Sequence, residues 1–244
     1  MRSFNQCIVI PCFNEASHFL KSDYIQFLEN NPNTLICFVN DGSTDETKNI
    51  IQELNTHFVA NTHLINLPNN VGKAEAVRNG INYCNENYEC KVIGFIDADL
   101  AVSLEESIEI SNKINDKTKF AFGSRILRVG STIERKFHRF LIGRFLATLI
   151  SNILNLKVYD TQCGCKMFQP DLSPILFTQP FISTWLFDVE LFFRLKKYFG
   201  ANTFKSHLLE VPLNSWIDRG ESKVSFLYGF KVFYDLYKIK MRYK

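Results

Sequence analysis

The sequence predicts an α/β fold with a mostly parallel central sheet flanked by helices. Short apolar runs that end in polar loops alternate with segments whose apolar residues recur at helical spacing. A chain of 244 residues can bury a large core without dividing, so we expect one domain over residues 1–244. Hydrophobic residues make up 46% of the chain and charged residues 22%, a balance that argues against disorder.

The first half of the chain, to about residue 125, carries the clearest predicted elements. The predicted strands cover residues 7–11, 34–40, 62–66, 92–97 and 119–124. The predicted helices cover residues 16–29, 45–56, 72–85 and 104–115. Asp45 has the character of a helix N-cap. Beyond Arg125, a loop to about Thr132 shows no clear period, as a mobile binding loop would.

Two carboxylates, Asp97 and Asp99, stand where the fourth predicted strand ends. Side chains two apart on a strand share a face, so this pair can meet a hard divalent cation and a diphosphate that the cation carries. An acidic pair in a loop is also typical of a solvated turn. The pattern therefore needs support from elsewhere in the chain.

That support comes from polar residues that follow other predicted strands. Residues 11–15 (PCFNE) follow the first strand and residues 40–45 (NDGSTD) the second, at the sheet edge where open α/β folds bind ligands. Asp41 is suited to bind the base or ribose of a nucleotide, although Asp-Gly is also typical of a tight turn. Lys73 opens a predicted helix, whose N-terminus attracts anions. The phosphate-binding loops typical of P-loop kinases and of dehydrogenases are absent.

Taken in order, these segments resemble the motifs of family 2 glycosyltransferases, which have the GT-A fold. The downstream half resembles the dolichyl-phosphate β-glucosyltransferase branch of that family. The blocks that carry this second likeness are residues 123–125 (GSR), 160–168 (DTQCGCKMF), 185–191 (WLFDVEL) and 222–223 (SK). Cys165 stands where that branch usually has Phe, and Ala74 and Glu75 replace a small Gly-rich pair, which leaves the donor sugar open.

The resemblance implies an inverting hexosyltransferase that moves a hexose from a nucleotide sugar to a polyprenyl or dolichyl phosphate. Glucose is the favoured sugar, and UDP-glucose is favoured over a GDP-hexose. The first half would bind the nucleotide sugar, and residues 126–244 would bind the acceptor and a membrane surface. Asp99 is the expected ligand of Mg²⁺ or Mn²⁺, and Asp97 would help to hold the donor. The other expected donor-site residues are Pro11, Asn14, Glu15, Asp41 and Lys73.

The acceptor chemistry separates the alternatives. A polyprenyl phosphate has a second pKa of about 6, so it is largely dianionic at neutral pH and needs cations rather than a base. The cations expected to receive it are Arg125, Arg135, Arg139 and Arg144, with Gln162 and Lys223 as further binding residues. Snorkelling at a membrane surface explains any single arginine equally well.

Two other functions stay open. Transfer to a sugar hydroxyl, as in assembly of a surface polysaccharide, would require a general base such as Asp160. A non-catalytic scaffold would bind nucleotide and recruit a partner to the membrane.

Residues 137–156 form a candidate membrane-surface segment. Their uncharged run, 145–156, is 12 residues long and falls short of the roughly 20 that a spanning helix needs. Arg144, Thr148, Ser151 and Asn155 form a polar stripe and leave a wide apolar face. That face fits an interfacial helix and an ordinary core helix equally well.

The second candidate membrane segment is residues 226–244. Aromatic residues recur there at helical spacing, while Lys231, Asp235, Lys238 and Arg242 occupy another face. Five basic residues against one acid between residues 231 and 244 favour an anionic membrane surface. A docked terminal helix with a solvated charged face is the plainer alternative, and the two are compatible.

Charge and cysteine content bound the location. A net charge of +3 is too small to indicate nucleic acid as a partner. Seven scattered cysteines do not form a disulfide framework, which favours a reducing cytosol, and CGC at residues 163–165 has no second ligand pair for zinc. The first strand begins almost at once, so no signal peptide is expected. We expect a cytoplasmic protein attached peripherally to the cytoplasmic face of a membrane, with a membrane protein as a possible partner.

Overall fold

The computed structural model describes residues 1–134, 137–217 and 228–243, and the side chains of residues 137–139 and 228–230 are outside this description. The strands are β1 (Arg2–Cys12), β2 (Thr34–Asp41), β3 (Thr62–Leu67), β4 (Tyr88–Ile96), β5 (Phe120–Ser124), β6 (Thr132–Glu134), β7 (Cys165–Phe168), β8 (Leu208–Pro212) and β9 (Ser215–Ile217). The α-helices are α1 (Lys21–Asn30), α2 (Thr47–His57), α3 (Lys73–Asn87), α4 (Leu104–Ser111), α5 (Phe137–Leu154), α6 (Ser173–Phe177), α7 (Phe187–Phe199) and α8 (Tyr228–Arg242). Two short 3-10 helices cover Pro170–Leu172 and Phe204–His207.

Seven strands form one sheet in the order β3-β2-β1-β4-β7-β5-β8. Every neighbouring pair is parallel except those of β7, which runs antiparallel to both β4 and β5. One apolar cluster packs α3, α5, α7 and α8 against one face, and a second packs α1, α2 and α4 against the other. The α/β class and the mostly parallel sheet predicted from the sequence are confirmed.

The five predicted strands are present, although β1 and β4 begin earlier than predicted, and two helix ends differ from the prediction by more than two residues. Helix α1 begins at Lys21 rather than at residue 16. Before it, the backbone N–H groups of Glu15 and Ala16 donate to Thr47 and Asp45, so this segment is bound to the next loop instead of entering a helix. Helix α4 ends at Ser111, after which the N–H groups of Lys113 and Ile114 bond to carbonyl oxygens three residues earlier. The Asn115 side chain then accepts two backbone N–H groups and stabilises a turn.

Helix α5 is a core helix in its second half only. Ile150 and Leu154, in its second half, are buried in the core. Leu141, Ile142 and Phe145, in its first half, are more than half exposed. The helix is therefore docked at one end and presents an apolar surface at the other.

Helix α8 is a docked helix, but the face that it docks differs from the prediction. Val232, Leu236 and Ile239 are buried, and the aromatic stripe lies outside. Asp235, expected on a solvated charged face, is buried and accepts a hydrogen bond from Ser183 Oγ (2.8 Å). That expectation is wrong because the Ser183 hydroxyl satisfies the carboxylate in the interior.

Within the described ranges, we find no helix that is both long and apolar enough to cross a bilayer.

Candidate active site

A cleft of about 540 Å³ lies at the carboxyl ends of β1, β2 and β4. We call it the donor cleft. The predicted donor-site residues that line it are Pro11, Asn14, Glu15, Asp41, Lys73, Asp97 and Asp99. Parallel strands bring their carboxyl ends to one edge, which is why residues up to 88 positions apart in the sequence meet here.

Asn14 joins two loops at the rim of the donor cleft. Its backbone is in the left-handed region (φ 53°), a conformation that Asn adopts more readily than most residues. Its side-chain Oδ1 accepts the N–H of Thr44 (2.9 Å), and its own N–H donates to Ser43 Oγ (3.1 Å). The residue therefore fixes the loop after β1 against the loop after β2.

Asp41 holds the start of α3. Its two carboxylate oxygens accept the backbone N–H groups of Val71 (2.8 Å) and Gly72 (2.9 Å), and the side chain is buried. Gly42 follows with φ +66°, and a Cβ there would lie 2.5 Å from the backbone carbon of Asn69. The Asp-Gly pair thus makes a tight turn that places Lys73, and its contact with a nucleotide base stays a prediction.

Asp97 and Asp99 lie on a tight turn directly after β4. Leu100 N–H donates to the Asp97 carbonyl oxygen (3.2 Å), and Ala101 N–H donates to Asp99 Oδ1 (3.0 Å). Between them, the carbonyl oxygen of Ala98 accepts a hydrogen bond from the Tyr24 hydroxyl (3.1 Å). These bonds fix both acids at the floor of the cleft.

Gly164 packs directly against the Asp97 side chain. A Cβ at this position would lie 2.2 Å from Asp97 Oδ2, and the Asp97 N–H donates to the Gly164 carbonyl oxygen (3.2 Å). Only glycine permits this approach. The DTQCG block therefore supports the acid pair, although the two are about 65 residues apart in the sequence.

Lys73 is paired with Asp97, with Nζ 2.5 Å from Oδ1. Burial alone would lower the pKa of Lys73, but the nearby carboxylates of Asp97, Asp188 and Asp99 raise it above its ordinary value. The lysine is thus held protonated, as neutralisation of a diphosphate requires.

A second cleft, of about 630 Å³, lies between α5, the loop before β7 and the start of α7. We call it the acceptor cleft. Of the residues predicted to act on the acceptor, Arg125, Arg144 and Gln162 line it, as does Asp160, the candidate base of the alternative. Lys73 and Asp97 line both clefts, so the two spaces meet at this ion pair.

Arg125 binds Asp160 through two parallel contacts, with Nε 2.6 Å from Oδ2 and Nη2 2.8 Å from Oδ1. Burial would lower the pKa of Arg125, and Asp160 raises it above its ordinary value. Asp160 Oδ1 also accepts the Gln162 N–H (3.1 Å), which holds the loop that follows it.

Glu210 stabilises the chain on both sides of this ion pair. Its carboxylate accepts the N–H groups of Tyr159 and Asp160 and the hydroxyl of Ser124.

Arg144 has neutral partners among its described contacts. Its Nη1 donates to the Tyr159 carbonyl oxygen (2.8 Å), and its guanidinium carbon lies 3.6 Å from the centroid of the Tyr159 ring.

Three predicted residues are outside the description of the site. Arg135 and Lys223 fall outside the described residues, and Arg139 lies in α5 without a described side chain.

Sequence reasoning missed Asp188 and Lys166. Asp188 lines the acceptor cleft, and Lys166 is fully buried and paired with it (Nζ to Oδ1, 2.5 Å). The sequence contained a signal for both residues, because Lys166 stands in the short run CKMF and Asp188 is followed by residues that alternate between apolar and acidic.

The donor cleft fits a Mg²⁺ or Mn²⁺ ion that arrives with a diphosphate. Asp97 and Asp99 offer hard oxygen ligands, and no group of three His, Cys, Asp or Glu side chains in the described part of the chain forms a metal site alone. Magnesium is commonly bound by one or two carboxylates, with substrate phosphates completing its coordination. Asp99 and Asp97 are the residues suited to this task.

The sheet order, the ligand-binding edge and the acid pair define a glycosyltransferase of the GT-A fold. The profile of "Glycosyl transferase family 2" matches residues 7–173, about two thirds of the chain. The chain belongs to glycosyltransferase family 2.

The chain is also similar to proteins named dolichyl-phosphate beta-glucosyltransferase. It is 31% identical to one from Trichomonas vaginalis over 75% of this chain and 59% of that protein. It is 30% identical to the Saccharomyces cerevisiae protein over 97% of this chain and 74% of that one, and 26% identical to the Homo sapiens protein over 97% and 75%. The chain thus spans between about three fifths and three quarters of these relatives.

Solved structures agree on the fold. Mannosyl-3-phosphoglycerate synthase from Rubrobacter xylanophilus has a TM-score of 0.69 at 14% identity, with 98% of this chain and 73% of that chain covered. Glucosyl-3-phosphoglycerate synthase from Mycobacterium tuberculosis, in complex with Mn²⁺, UDP-glucose and phosphoglyceric acid, has a TM-score of 0.66 at 15% identity, with 97% and 80% covered. The same enzyme has also been solved with Mg²⁺ and UDP.

Proposed function

We propose that this chain transfers a hexose from a nucleotide sugar to a polyprenyl or dolichyl phosphate at the cytoplasmic face of a membrane. Glucose and UDP are the favoured sugar and nucleotide. Relatives named dolichyl-phosphate beta-glucosyltransferase support the acceptor and the sugar. The structural neighbour with bound UDP-glucose and Mn²⁺ supports the donor and the cation.

The observation that carries the proposal is the meeting of two clefts at Lys73 and Asp97. A transferase needs donor and acceptor spaces that open onto one point, so that the reacting atoms meet. The acceptor cleft is lined by Arg125 and Arg144, and Ile142 of the same lining belongs to the exposed apolar end of α5. A ligand with a phosphate head and a hydrocarbon tail matches this combination.

The hydroxyl-acceptor alternative fits less well. It requires a carboxylate that can take a proton, and Asp160 is buried, bound to Arg125 through both oxygens. A guanidinium in bidentate contact stabilises the ionised carboxylate and makes it a weak base. The other acids that line the cleft are also paired, Asp188 with Lys166 and Asp97 with Lys73.

In this reaction the residues of the two clefts have separate roles. Lys73 neutralises charge on the departing nucleoside diphosphate, and Asp97 orients the donor beside it. A cation held by Asp99 would stabilise the negative charge that develops on the leaving group. Arg144 and Arg125 orient the acceptor phosphate, which is dianionic already and attacks without a protein base.

Membrane attachment would follow from two exposed surfaces. The first is the apolar end of α5, and the second is an aromatic and basic face of α8. The exposed apolar side chains on α8 are Phe233, Tyr234, Tyr237 and Met241. Lys231, Lys238, Lys240 and Arg242 are exposed on the same helix. Such helices favour anionic lipid surfaces, with about 1 kcal/mol per basic group close to the lipid.

One experiment tests the proposal. The protein and Mg²⁺ are incubated with a panel of UDP- and GDP-sugars, with and without polyprenyl phosphate, and the products are identified by mass spectrometry. We expect a hexosyl lipid phosphate that forms fastest from UDP-glucose. A glycosylated sugar formed without lipid would support the hydroxyl-acceptor alternative instead, and nucleotide binding without any product would indicate a scaffold.

A further inference from the structure

A buried ion pair lies beneath the point where the two clefts meet. Lys166, on β7, is fully buried, with Nζ 2.5 Å from Asp188 Oδ1 and 2.7 Å from the carbonyl oxygen of Cys163, to which it donates. Its ammonium also lies 5.5 Å from the centroid of the Phe95 ring. A charge in such a site is costly unless it is paired, so the ion pair indicates a task that an apolar pair would not perform.

Asp188 connects this buried pair to the active site. It lies in the first turn of α7, is 5% exposed and forms part of the acceptor-cleft wall. Lys73 lines the same wall, with its Nζ 5.8 Å from the ring centroid of Phe187, the neighbour of Asp188. The ion pair of Lys166 with Asp188 and that of Lys73 with Asp97 therefore adjoin one cleft wall, and Asp188 attracts Lys73 at a longer range than an ion pair.

The ammonium group of Lys73 needs neighbouring groups that fix its position. A lysine ammonium on a flexible stem is a mobile point charge, and Asp97 alone would have to hold it while also contacting the donor. Asp188 supplies a second carboxylate on the cleft wall, which attracts the ammonium at longer range and is not itself an expected donor ligand. Lys166 in turn orients that carboxylate within the protein interior.

We propose that Asp188, anchored by Lys166, is a positioning residue that holds Lys73 at the junction of the two clefts. This inference rests on the proposed use of a nucleotide sugar, whose diphosphate Lys73 would contact. The carboxylate of Asp188 serves the two lysines and does not act on the acceptor.

The test is a mutant cycle read by nucleotide binding. The variants are Lys73→Met, the pair Lys166→Met with Asp188→Asn, and all three changes together. Binding of UDP and of GDP is measured by calorimetry at saturating Mg²⁺, and the melting temperature is measured for each protein. The paired change removes both buried charges together, which avoids leaving Lys166 unpaired.

We expect the paired variant to fold and to bind the nucleoside diphosphate about tenfold more weakly, because a charged contact is misplaced. Lys73→Met should lose a similar factor, and the triple variant should lose no more than Lys73→Met alone, since Asp188 acts through Lys73. The inference would be overturned if the folded paired variant bound the nucleotides with wild-type affinity. It would also be overturned if the loss of affinity in the triple variant equalled the product of the losses in Lys73→Met and in the paired variant.

If the paired variant does not fold, Asp188→Glu takes its place in the cycle. It retains a partner for Lys166 but displaces the carboxylate by one methylene, and it should weaken nucleotide binding only when Lys73 is present. An equal loss with and without Lys73 would contradict the inference.

Sugar transfer by the wild-type protein is measured alongside. If the wild-type protein transfers sugar but the mutations weaken nucleotide binding independently of one another, the positioning role of Asp188 is wrong and the proposed function stands. If the mutations are coupled but the wild-type protein transfers no sugar, the proposed function is wrong and the positioning role stands. If the protein binds neither UDP nor GDP, both are wrong.

Discussion

Arg125 and Asp160 form a bidentate ion pair, with Nε to Oδ2 at 2.6 Å and Nη2 to Oδ1 at 2.8 Å. The sequence assigned these two residues to rival mechanisms, the arginine to a phosphate acceptor and the carboxylate to a hydroxyl acceptor. Because each is the main partner of the other, a change at either position alters the electrostatics of both. Their single variants must therefore be interpreted together.

We predict that Arg125→Ala will cripple transfer to polyprenyl phosphate and leave sugar-nucleotide binding intact. Breaking a buried pair costs roughly 3–5 kcal/mol, an upper bound here because Arg125 is partly exposed. Asp160→Asn should affect turnover less, because the amide oxygen can still accept the Gln162 N–H. Melting temperatures, calorimetric donor affinity and initial transfer rates check these outcomes.

The control is the double variant Arg125→Met with Asp160→Asn, which removes both charges. It should recover stability without recovering transfer, since the phosphate would still lack its cation. If a well-folded Asp160→Asn protein loses all turnover while Arg125→Ala stays active, the hydroxyl acceptor with Asp160 as base should replace the lipid phosphate.

Asp99→Asn is expected to abolish nearly all turnover. The change weakens a hard oxygen ligand at the point where leaving-group charge develops. Rates are measured over a Mg²⁺ and Mn²⁺ titration, with Asp116→Asn, an exposed loop aspartate, as the matched control. A near-normal rate at saturating Mg²⁺ would refute the assignment of Asp99 as metal ligand.

Asp41→Ala should raise the donor KM more than it lowers kcat, as loss of uniform binding does. The change also removes two charge-assisted hydrogen bonds to the backbone at Val71 and Gly72, each worth about 1.5–3 kcal/mol. We therefore expect a lower melting temperature as well. Asp41→Asn retains one acceptor oxygen, so its donor KM and melting temperature should lie between those of the wild-type protein and Asp41→Ala. An unchanged donor affinity in Asp41→Ala would mean that the nucleotide binds elsewhere.

The sequence was sufficient to predict that the residues of the donor cleft lie together, because a parallel sheet brings its strand ends to one edge. Asp41, Lys73 and Asp97 each follow or open a regular element with a strong pattern, so their proximity follows from topology alone. The acceptor side has no such rule. Strand β7 enters the sheet antiparallel, between β4 and β5, and no local pattern indicates that insertion.

Pairing of charges across the fold escaped prediction for the same reason. Arg125 and Asp160 are 35 residues apart, and Lys166 meets Asp188 only because β7 and α7 pack together. Burial of Asp235 depends likewise on Ser183, which lies 52 residues away. Helical periodicity shows which residues share a face of a helix, but it does not show which face packs against the protein interior.

The exposed face of α8 should bind anionic membranes. Phe233→Ser and Tyr237→Ser, alone and together, are expected to weaken binding to phosphatidylserine vesicles severalfold without a change in melting temperature, because both side chains are about half exposed or more. Val59→Ser, an exposed apolar residue far from α8 in the sequence, is the control. Binding is measured by co-sedimentation at low and high salt, since surface attraction weakens as salt rises. Equal binding by all variants would count against α8 as the membrane surface.

Arg144 should be the more selective probe of the acceptor, because its described partners are neutral. It donates to the Tyr159 carbonyl oxygen and stacks on the Tyr159 ring, so removing its charge leaves no carboxylate unpaired among those contacts. We predict that Arg144→Gln raises the KM for polyprenyl phosphate about tenfold or more, as loss of a charged hydrogen bond does, with donor affinity and melting temperature near wild type. Arg144→Lys keeps the charge but loses the planar stack, and it should recover part of the acceptor affinity.

Steady-state kinetics separate the two KM values, first with the acceptor varied at saturating donor and then with the donor varied at saturating acceptor. A rise in donor KM alone would place Arg144 on the nucleotide side. An unchanged acceptor KM in both variants would leave Arg125 as the arginine that binds the phosphate.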